Sequence, residues 1–507
     1  MLLSELLQGI PVISACLPSQ LTVCDIATDS RRVGRGDVFV ALRGSRTDGH
    51  RFIAEAASRG AAAVILESDR QLPDGIPFAV VPDTRLAAAH MWNNRFGDPT
   101  KNMKVIAVTG TNGKTSTSYI LRAILRAAGY TVGLIGTVRC LCGETEIDIG
   151  GGGEIADVPA AMTTPDPQYL YGAAARMREL GADVLILEVS SHALAWHKVD
   201  ALHIDCGIFT NLSEEHLDYH GSMDAYLRAK ARLFTLCPRG IVNGDDPHAS
   251  EIMRLAPPCS FTRFSPSGDP SADVRAVRIK LCGMEGVEYL YYADNVVFRV
   301  RCPMPGRYTV DNTLAAISAA LHLGVDPITV QDALRTFPGV EGRMERVALP
   351  DAEFSLFLDY AHTPAALESL LRMVRAPEPH RRILLLFGCG GDRNPAKRPV
   401  MGRIASALAD FVILTSDNSR SESPSAILAD ILRGMDREKP YAVIEDRREA
   451  IRYAIRHAEK GDILLLVGKG HEKYEINADG KHPFDEAALA REAYVSSRRK
   501  SPPLERY

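Results

Sequence analysis

Apolar and polar positions alternate along the chain between two kinds of segment. Short apolar runs rich in β-branched residues are separated by longer Ala- and Leu-rich stretches with the apolar period of an amphipathic helix. This alternation predicts βαβ units on a parallel sheet, and therefore an α/β fold. The strands that it predicts are 104–108, 184–189, 204–209, 383–387, 411–414 and 463–467.

Two segments rich in turn residues divide this pattern. The sequence FGDPTKN (96–102) precedes the first strong buried strand, and FPGVEG (337–342) follows a long helical stretch. The chain of 507 residues is also too long for one core, because cores stop growing near roughly 250 to 300 residues. We therefore predict three domains: a smaller N-terminal α/β domain at 1–100, a central domain at 101–336 and a C-terminal domain at 337–507.

Composition narrows the range of partners. The 59 basic and 63 acidic residues give a net charge of -4, so no broad positive field favours nucleic acid or an anionic membrane. The chain has no signal-peptide pattern and no apolar run of about 18 residues, so we expect a cytoplasmic protein without stable membrane insertion. Its ten cysteines form no CxxC pair, which predicts reduced packing residues rather than a zinc site or a disulfide framework.

A phosphate-binding loop is predicted at TGTNGKTS (109–116). An apolar strand precedes it and a helical pattern follows, so the backbone N–H groups at the helix start would point at bound phosphate. Lys114 would neutralise phosphate oxygens, and the Thr115 hydroxyl would bind Mg²⁺. The loop departs from GxxxxGKS/T, because Val108 occupies the position of the first glycine. The motif alone fits a kinase, a motor or a ligase.

Three polar side chains lie at or after the ends of two consecutive predicted strands. Glu188 ends an otherwise apolar strand, and His216 and His220 lie in the polar segment after the next strand. Ligands of open α/β sheets collect at the carboxyl ends of strands, which makes Glu188 a candidate oxygen ligand for Mg²⁺. The alternatives are an exposed glutamate at a strand end and surface histidines.

A lysine on an apolar helix face is the third candidate. In the predicted helix 223–234, Leu227, Lys230 and Phe234 share one face. Burial disfavours the ammonium form, and a neutral amine can react with CO₂ to give a carbamate, which is an anionic metal ligand. The alternative is a lysine that extends its ammonium group to solvent.

Eight motifs, taken together, resemble one family. They are TGTNGKTS, LEVSSHAL, FTNLSEEHLDYHG, AYLRAKARLF, MPGRYTVDN (304–312), GRME (342–345), DYAHTP (359–364) and GKGHE (468–472). In this order, and over nearly the whole chain, they resemble the Mur ligases that add an amino acid to a UDP-N-acetylmuramoyl dipeptide for peptidoglycan synthesis. The resemblance implies an N-terminal domain for the UDP part, a central P-loop ATPase-like domain and a C-terminal Rossmann-like domain for the amino acid.

The resemblance also implies roles for the residues that match its motifs. ATP would be held by Gly110, Thr111, Asn112, Gly113, Lys114, Thr115, Ser116, Asn312, Arg343 and Asp359. Mg²⁺ would be held by Thr115, Glu188, His216 and Lys230, with Lys230 carbamylated. Lys114, Glu188, His216 and Lys230 would form the catalytic set. The implied reaction phosphorylates the substrate carboxylate with ATP, and the amine of the amino acid attacks the acyl phosphate.

The nucleotide-sugar peptide has its own set of matching positions. They are Ser30, Ser45, Arg46, Thr47, Thr163, Thr164, Ser190, Trp196 and Lys198. Two of them depart from the family, which usually has Gln where Trp196 stands and Arg where Lys198 stands. Lysine keeps the charge but loses the fork that grips an anion through two hydrogen bonds.

The identity of the amino acid is expected from TSDNSR (415–420), which resembles the DNPR motif of diaminopimelate-adding enzymes. A guanidinium grips a carboxylate through two bonds, and meso-diaminopimelate differs from lysine by a distal carboxylate, so Arg420 would read that group. Ser419 stands where the family has proline. The residues expected at this substrate are Arg393, Asp417, Asn418, Ser419, Arg420, Gly468 and Glu472.

Three other functions stay open at this point. The same ligase could use L-lysine or another diamino acid. A folylpolyglutamate synthetase would share the ATPase core, although it would not need the N-terminal UDP domain or the DNSR segment. A non-catalytic nucleotide-binding protein would not need the combination of Lys114, Glu188, His216 and Lys230. We expect a monomer that acts on small molecules.

Overall fold

Every predicted strand is present in the computed structural model, within two residues of its expected ends, which confirms the α/β class. The structure describes residues 1–44, 47–68, 72–73, 75–148, 162–294, 296–377 and 379–499. In these ranges, no helix is both long and apolar enough to cross a membrane.

The chain divides into two units. The first comprises Met1–Val277, Tyr291–Phe298 and Asp311–Ala333, and the second comprises Arg278–Leu290, Arg299–Val310 and Leu334–Tyr507. The first unit contains an N-terminal sheet and most of a central sheet, whereas a third sheet lies in the second unit. The three predicted domains, with boundaries near 100 and 336, stay a prediction.

The N-terminal sheet is largely parallel. It has the order β1-β5-β4-β3-β2, in which only β1 runs antiparallel to its neighbour. Its strands are β1 (Ser14–Cys16), β2 (Ile26–Ala27), β3 (Val38–Val40), β4 (Ala63–Leu66) and β5 (Phe78–Val80). The helices of this part are α1 (Leu3–Leu6), α2 (Ile53–Ser58) and α3 (Thr84–Arg95), with 3-10 turns at Ser30–Arg32 and Gly49–Phe52.

The central sheet has eleven described strands in the order β16-β15-β14-β13-β12-β11-β6-β10-β7-β8-β9. They are β6 (Lys104–Thr109), β7 (Val132–Ile135), β8 (Cys140–Cys142), β9 (Thr145–Glu146), β10 (Val184–Glu188), β11 (Cys206–Phe209), β12 (Arg239–Asn243), β13 (Ser260–Ser265), β14 (Val274–Leu281), β15 (Val287–Ala293) and β16 (Val296–Cys302). The associated helices are α4 (Lys114–Ala127), α5 (Pro167–Glu179), α6 (Ser191–Ala195), α7 (Leu217–His220), α8 (Met223–Ala231), α9 (Ala249–Leu255), α10 (Tyr308–His322) and α11 (Pro327–Arg335), with 3-10 turns at Arg232–Thr235 and Gly283–Glu285.

The register of this sheet brings three strand ends together. Strand β6 lies between β10 and β11, and all three are parallel. Glu188 at the end of β10 pairs with Val108, and Phe209 at the end of β11 pairs with Thr109. The loop after β6 therefore starts between the carboxyl ends of two neighbours, where open α/β sheets bind ligands.

The C-terminal sheet has the order β17-β18-β22-β19-β20-β21 and is parallel except for β17. Its strands are β17 (Glu345–Arg346), β18 (Ser355–Asp359), β19 (Ile383–Phe387), β20 (Phe411–Leu414), β21 (Tyr441–Val443) and β22 (Ile463–Val467), and a hairpin follows with β23 (Tyr474–Asn477) and β24 (Gly480–Pro483). The helices are α12 (Pro364–Arg375), α13 (Lys397–Leu408), α14 (Pro424–Leu432), α15 (Arg447–His457) and α16 (Glu486–Arg499).

Both faces of this sheet are covered, which explains why its strands are continuously apolar. Along β19, Leu385 packs in a core with Leu367 of α12, whereas Leu384 packs in a second core with Ile451 of α15. Successive side chains of a strand point to opposite faces, so a sheet between two helical layers needs apolar residues at every position.

Candidate active site

Two glycines shape the loop after β6. Gly110 has φ +148° and Gly113 has φ +86°, backbone angles that residues other than glycine rarely adopt. A Cβ at Gly110 would overlap the Thr210 hydroxyl, and one at Gly113 would lie 2.5 Å from the Asn312 amide oxygen. Glycine is thus required both by the turn and by the close approach of β11 and α10.

The residues after β11 hold this loop in place. The Asn211 side-chain oxygen accepts a hydrogen bond from the Asn112 N–H at 3.0 Å, and the Thr210 hydroxyl donates to the Asn112 carbonyl at 2.6 Å. The Thr111 N–H donates to the Asn211 carbonyl at 2.8 Å. The loop is therefore ordered by protein contacts, which preorganises its backbone N–H groups for an anion.

The loop leads directly into α4, which begins at Lys114. Lys114 Nζ donates to the carbonyls of Gly110 and Thr111, both at 2.9 Å, so its ammonium lies over the loop. Thr115 and Ser116 are buried in the first turn of the helix. The helix N-terminus and the Lys114 charge together favour phosphate oxygens at this position.

Glu188 is completely buried next to this loop. Its Oε2 accepts from the Thr115 hydroxyl at 2.8 Å and from the Thr137 hydroxyl at 2.9 Å, and its Oε1 accepts from the Thr137 N–H at 3.2 Å. Burial raises the pKa of Glu188, although the Thr115 hydrogen bond and the Lys114 charge oppose that shift. The structure thus places two predicted metal ligands, Thr115 and Glu188, in direct contact.

Lys230 lies on the buried face of α8, as the helical pattern predicts, with 1% of its surface exposed. Its Nζ donates to the Gly110 carbonyl at 2.8 Å and lies 4.7 Å from the centroid of the Tyr226 ring. Burial, and secondarily the charge of Lys114, lowers the pKa of Lys230 well below its usual value. Lys230 does not extend to solvent, so the alternative interpretation of this lysine is wrong.

His216 has a half-exposed side chain in a group of aromatic rings. It adopts φ +56° immediately before α7, and its ring lies 5.0 Å from His192 and 6.2 Å from Tyr226. Burial, with the charges of His216 and His220, lowers the pKa of His192 to about 4. Within the described ranges, no group of three or more His, Cys, Asp or Glu residues could hold a metal ion. A metal here would depend on other donors, such as Thr115.

Three residues predicted for the UDP substrate adjoin Glu188. The Thr164 hydroxyl donates to the Glu188 carbonyl at 2.9 Å and accepts from the Ser190 N–H at 3.0 Å. Thr163 accepts from the Thr137 hydroxyl at 3.0 Å. Thr163, Thr164 and Ser190 therefore surround the end of β10, next to the phosphate loop.

Trp196 and Lys198, the two departures from the family pattern, contact each other. Lys198 Nζ lies 5.3 Å from the centroid of the Trp196 ring, and the Arg85 guanidinium lies 5.0 Å from the same centroid. Lys198 is 4% exposed and pairs with Asp166 at 2.7 Å. Lys198 is therefore oriented by a carboxylate of the protein, and the Trp196 ring connects it to α3.

The remaining UDP-substrate residues lie in the N-terminal sheet region. Ser30 is buried and donates to Glu55 at 2.8 Å, and the Thr47 carbonyl accepts from the Gly44 N–H at 2.9 Å. Ser45 and Arg46, also predicted for this substrate, lie outside the described residues.

Asp359 and Arg343, predicted to hold the nucleotide, lie in the second unit. Asp359 accepts from the N–H groups of Met344 and Ala361, both at 2.9 Å. Burial raises the pKa of Asp359, against the charge of Arg343. The Arg343 guanidinium lies 4.8 Å from the centroid of the Tyr360 ring. The two side chains thus lie around the end of β18 and the segment that precedes β17.

The segment after β20 lies at the same edge of the C-terminal sheet. The Asn418 amide donates to Glu472 Oε2 at 2.7 Å, and Arg420 Nη1 donates to the Gly391 carbonyl at 2.8 Å. Burial and the charge of Asp417 raise the pKa of Glu472, against the Asn418 hydrogen bond and the charge of Arg420. Asn418 therefore contacts both side chains, Glu472 through its amide nitrogen and Arg420 through its carbonyl at 3.4 Å.

Glycines allow this close approach of loops. A Cβ at Gly468 would lie 2.8 Å from Asp417 Oδ2, and one at Gly391 would overlap the Ser419 carbonyl. Asp417 and Ser419 are both buried, whereas Arg393 is exposed and donates to the Asp392 carbonyl at 3.1 Å. The structure brings together all residues predicted for the amino acid except Arg393, whose hydrogen bond goes to its own neighbour in the chain.

Sequence reasoning missed several residues that shape the site. Thr137 bonds Glu188, Asn211 orders the phosphate loop, and Lys469 is fully buried against Asp417 and Asn418. Thr137 could have been found from its place after the buried strand β7, and Asn211 from the same place after β11. Lys469 had only its position within GKGHE as a signal.

Family models match three parts of the chain. "Mur ligase family, catalytic domain" matches residues 23–95, "Mur ligase middle domain" matches 108–320, and "Mur ligase, glutamate ligase domain" matches 342–470.

Curated relatives match nearly the full length. A UDP-N-acetylmuramoyl-L-alanyl-D-glutamate--2,6-diaminopimelate ligase of Syntrophomonas wolfei is 40% identical over 97% of this chain and 99% of its own. The enzyme of the same name from Clostridioides difficile is 38% identical over 97% and 99%. A solved structure of a ligase with that name superposes with a TM-score of 0.68 at 31% identity, over 98% of this chain and 99% of the other.

Proposed function

This chain belongs to the Mur ligase family. We propose that it joins meso-2,6-diaminopimelate to UDP-N-acetylmuramoyl-L-alanyl-D-glutamate in an ATP-dependent reaction of peptidoglycan precursor synthesis. Members of this family are ATP-dependent ligases that form amide bonds. The observation that carries the choice of amino acid is the contact of the Asp417–Arg420 segment with Glu472. In this arrangement Arg420 would pair with the distal carboxylate of diaminopimelate and Glu472 with its distal ammonium.

The first chemical step is set by charge. A carboxylate does not react with an amine, so the γ-phosphoryl group of ATP is transferred to the substrate carboxylate, which gives an acyl phosphate and ADP. Lys114 and the N-terminus of α4 stabilise the negative oxygens of the group in transfer. Residues 110–116 would hold the phosphates, with Asn312, Arg343 and Asp359 as further nucleotide contacts.

The donor set beside the phosphate loop fits Mg²⁺. Hard cations prefer oxygen ligands, and the Thr115 hydroxyl and the Glu188 carboxylate are already in contact at 2.8 Å. When bound, the ion would neutralise charge on the phosphate oxygens. We propose His216 as a further ligand of this ion.

Lys230 would supply an additional anion as a carbamate. Its burial and its proximity to Lys114 favour the neutral amine, which adds to CO₂ with loss of one proton. The carbamate would form next to the phosphate loop, because Lys230 already contacts that loop through the Gly110 carbonyl. A buried anion there would offset the positive charge of Lys114.

The second step forms the amide. The amine of the amino acid attacks the acyl carbon, and phosphate leaves from the tetrahedral intermediate. Arg420 would hold the distal carboxylate and Glu472 the distal ammonium, while Thr163, Thr164, Ser190 and Lys198 would contact the UDP substrate. We also propose that the protein is cytoplasmic and monomeric. Size-exclusion chromatography with light scattering would test its oligomeric state.

The decisive experiment measures ADP release with UDP-N-acetylmuramoyl-L-Ala-D-Glu, ATP and a panel of amino acids. We expect meso-diaminopimelate to give the highest kcat/KM, with L-lysine far behind. A preference for L-lysine would overturn the amino-acid assignment but keep the ligase. ADP release that is independent of the UDP-dipeptide would overturn the ligase assignment for this substrate.

A further inference from the structure

Lys469 is a buried lysine whose ammonium group contacts three protein oxygen atoms and lies 5.4 Å from the centroid of the Phe484 ring. Its Nζ donates to the Asn418 side-chain oxygen at 2.9 Å and to the Tyr474 carbonyl at 3.0 Å, and it lies 3.5 Å from Asp417 Oδ1. Its side chain is 0% exposed. Two of the three N–H donors of the ammonium group are used in these hydrogen bonds, and its charge is paired with the Asp417 carboxylate. Lys469 is therefore suited to orient other residues and not to bind substrate.

The residues that it contacts belong to two separate segments of the amino-acid site. Asn418 and Asp417 lie in the segment after β20, whereas Tyr474 begins the β23–β24 hairpin. The Asn418 oxygen also accepts from the Ile476 N–H at 2.9 Å, and the Arg420 N–H donates to the Ile476 carbonyl at 3.0 Å. Lys469 thus bonds to both segments at the place where they meet.

The Asn418 amide extends this arrangement to Glu472. Because its oxygen accepts from Lys469 and Ile476, its nitrogen is directed to Glu472 Oε2 at 2.7 Å. The orientation of Glu472 therefore depends on the same amide that Lys469 fixes. Arg420 is tied to the same hairpin through its own backbone.

We propose that Lys469 is a positioning residue that sets selectivity for the distal end of the amino acid, by fixing Arg420 and Glu472 relative to each other. The proposal rests on the proposed function, since it takes a diamino dicarboxylic acid as the substrate. Such an acid carries a carboxylate and an ammonium on one distal carbon. A site that reads both groups needs its guanidinium and its carboxylate at a fixed separation.

Asp417 explains why the residue is a lysine and not a neutral side chain. Burial by itself would raise the pKa of Asp417, but the charges of Lys469 and Arg447 outweigh burial and hold that pKa below its usual value. Without Lys469, a buried carboxylate would lose its nearest cation, and the segment that carries Arg420 would shift.

The test compares Lys469→Met, which keeps the length but removes the charge and the donors, with Lys473→Met as the matched control. Lys473 is 57% exposed and pairs with Glu341 at the surface. The substrates are meso-diaminopimelate, L-lysine, which lacks the distal carboxylate, and L-2-aminopimelate, which lacks the distal ammonium. For Lys469→Met we expect kcat/KM for meso-diaminopimelate to fall about 30-fold or more, with much smaller losses for the two analogues. Lys473→Met should match wild type on all three.

Two further measurements separate positioning from damage to the fold. Hydroxylamine in place of the amino acid traps the acyl phosphate as a hydroxamate, and Lys469→Met should form it at the wild-type rate with unchanged KM for ATP and for the UDP-dipeptide. If Lys469→Met does not fold, the double variant Asp417→Asn/Lys469→Met removes the unpaired buried carboxylate. It should discriminate between the three amino acids less well than Asp417→Asn alone, which is its control because Asp417 is itself expected at this substrate.

The outcomes distinguish this proposal from the proposed function. If wild type does not use meso-diaminopimelate, the proposed function is wrong. If wild type uses it and both Lys469 variants keep the wild-type ratio of kcat/KM values, Lys469 is not a positioning residue and the proposed function stands. Equal losses for all three amino acids would also overturn the proposal, because they indicate a general structural role.

Discussion

Replacement of Arg420 by alanine is expected to remove the preference for a distal carboxylate and to leave the ligase reaction itself intact. In the structure, the guanidinium is half-buried and donates to the Gly391 carbonyl at 2.8 Å and to the Asn418 carbonyl at 3.4 Å. Arg420 has φ +52°, and alanine adopts that conformation about as poorly as arginine, so the substitution adds no backbone strain.

The magnitude follows from the burial of the group. Truncation of one partner of a desolvated, hydrogen-bonded charge pair costs about 2 to 5 kcal/mol. Because Arg420 is only half-buried, solvent screens part of its interaction, and the lower end of that range applies. A loss of about 2 kcal/mol corresponds to roughly 30-fold in kcat/KM for meso-diaminopimelate. L-Lysine has no distal carboxylate, so its kcat/KM should not fall by that factor. It should rise if the unpaired guanidinium disfavours lysine in the wild-type site.

The assay is steady-state ADP release with saturating ATP and UDP-dipeptide, for wild type and Arg420→Ala, with each amino acid varied in turn. Arg433→Ala is the matched control, because Arg433 is 73% exposed and pairs with Asp430 on α14. The reasoning fails if Arg420→Ala lowers kcat/KM for both amino acids equally, or if wild type already prefers L-lysine. In that case Ser419, where the family has proline, becomes the first position to examine.

Three further predictions concern the first unit. Lys114→Ala should lower ADP formation by roughly 100-fold or more without a change in the circular dichroism spectrum, and near wild-type turnover would contradict the nucleotide assignment. Lys230→Ala should be nearly inactive and partly rescued by short carboxylic acids, whereas a wild-type rate insensitive to CO₂ removal, together with a mild variant, would exclude the carbamate. The Asp200 side chain is 4% exposed and forms an ion pair with Arg232, whose side chain is 34% exposed. Asp200→Asn should therefore lower the free energy of unfolding by about 2 kcal/mol at pH 7, a value reduced for solvent screening of Arg232. Burial would raise the pKa of Asp200, but His197 and Arg232 hold it below its usual value, so this stabilisation is present above about pH 4 and is lost as the pH falls through the folded pKa. Denaturant unfolding of wild type and Asp200→Asn at several pH values measures this difference in the free energy of unfolding. A difference that does not decrease as the pH falls would contradict a stabilising Asp200–Arg232 ion pair.

The strands of the C-terminal sheet could be predicted from the sequence because helices cover both faces of that sheet. Strands 383–387, 411–414 and 463–467 have the expected ends, since a strand buried on both faces is apolar at every position and stops where polar residues begin. The strand expected at 204–209 begins instead at Cys206. Apolar character at Ile204 reflects burial before the strand and not ladder pairing. Local patterns report burial directly and pairing only indirectly.

Contacts between residues that are far apart in the chain could not be predicted from the sequence, for a different reason. Lys230 was found because Leu227 and Phe234 mark the buried face of one local stretch, although the helix expected at 223–234 ends at Ala231 and Phe234 lies in the 3-10 turn that follows. Thr137 and Lys469 gave weaker signals, namely a place after a strand and a place in a motif, because their partners Glu188 and Asn418 each lie 51 residues away along the chain. Hydrogen bonds between strand ends depend on strand order, which periodicity does not encode.

Three lysines that are nearly inaccessible to solvent show how the same residue type acquires different roles. Lys198 lies 2.7 Å from a carboxylate of Asp166, and Lys469 lies 3.5 Å from one of Asp417. The hydrogen bond of Lys230 instead goes to the Gly110 carbonyl, and a second cation, Lys114, lies near it. An opposing carboxylate stabilises an ammonium ion, whereas a carbonyl and a nearby cation do not offset its desolvation. Burial, and secondarily the charge of Lys114, therefore lowers the pKa of Lys230 well below its usual value, which is the condition that the proposed carbamate requires.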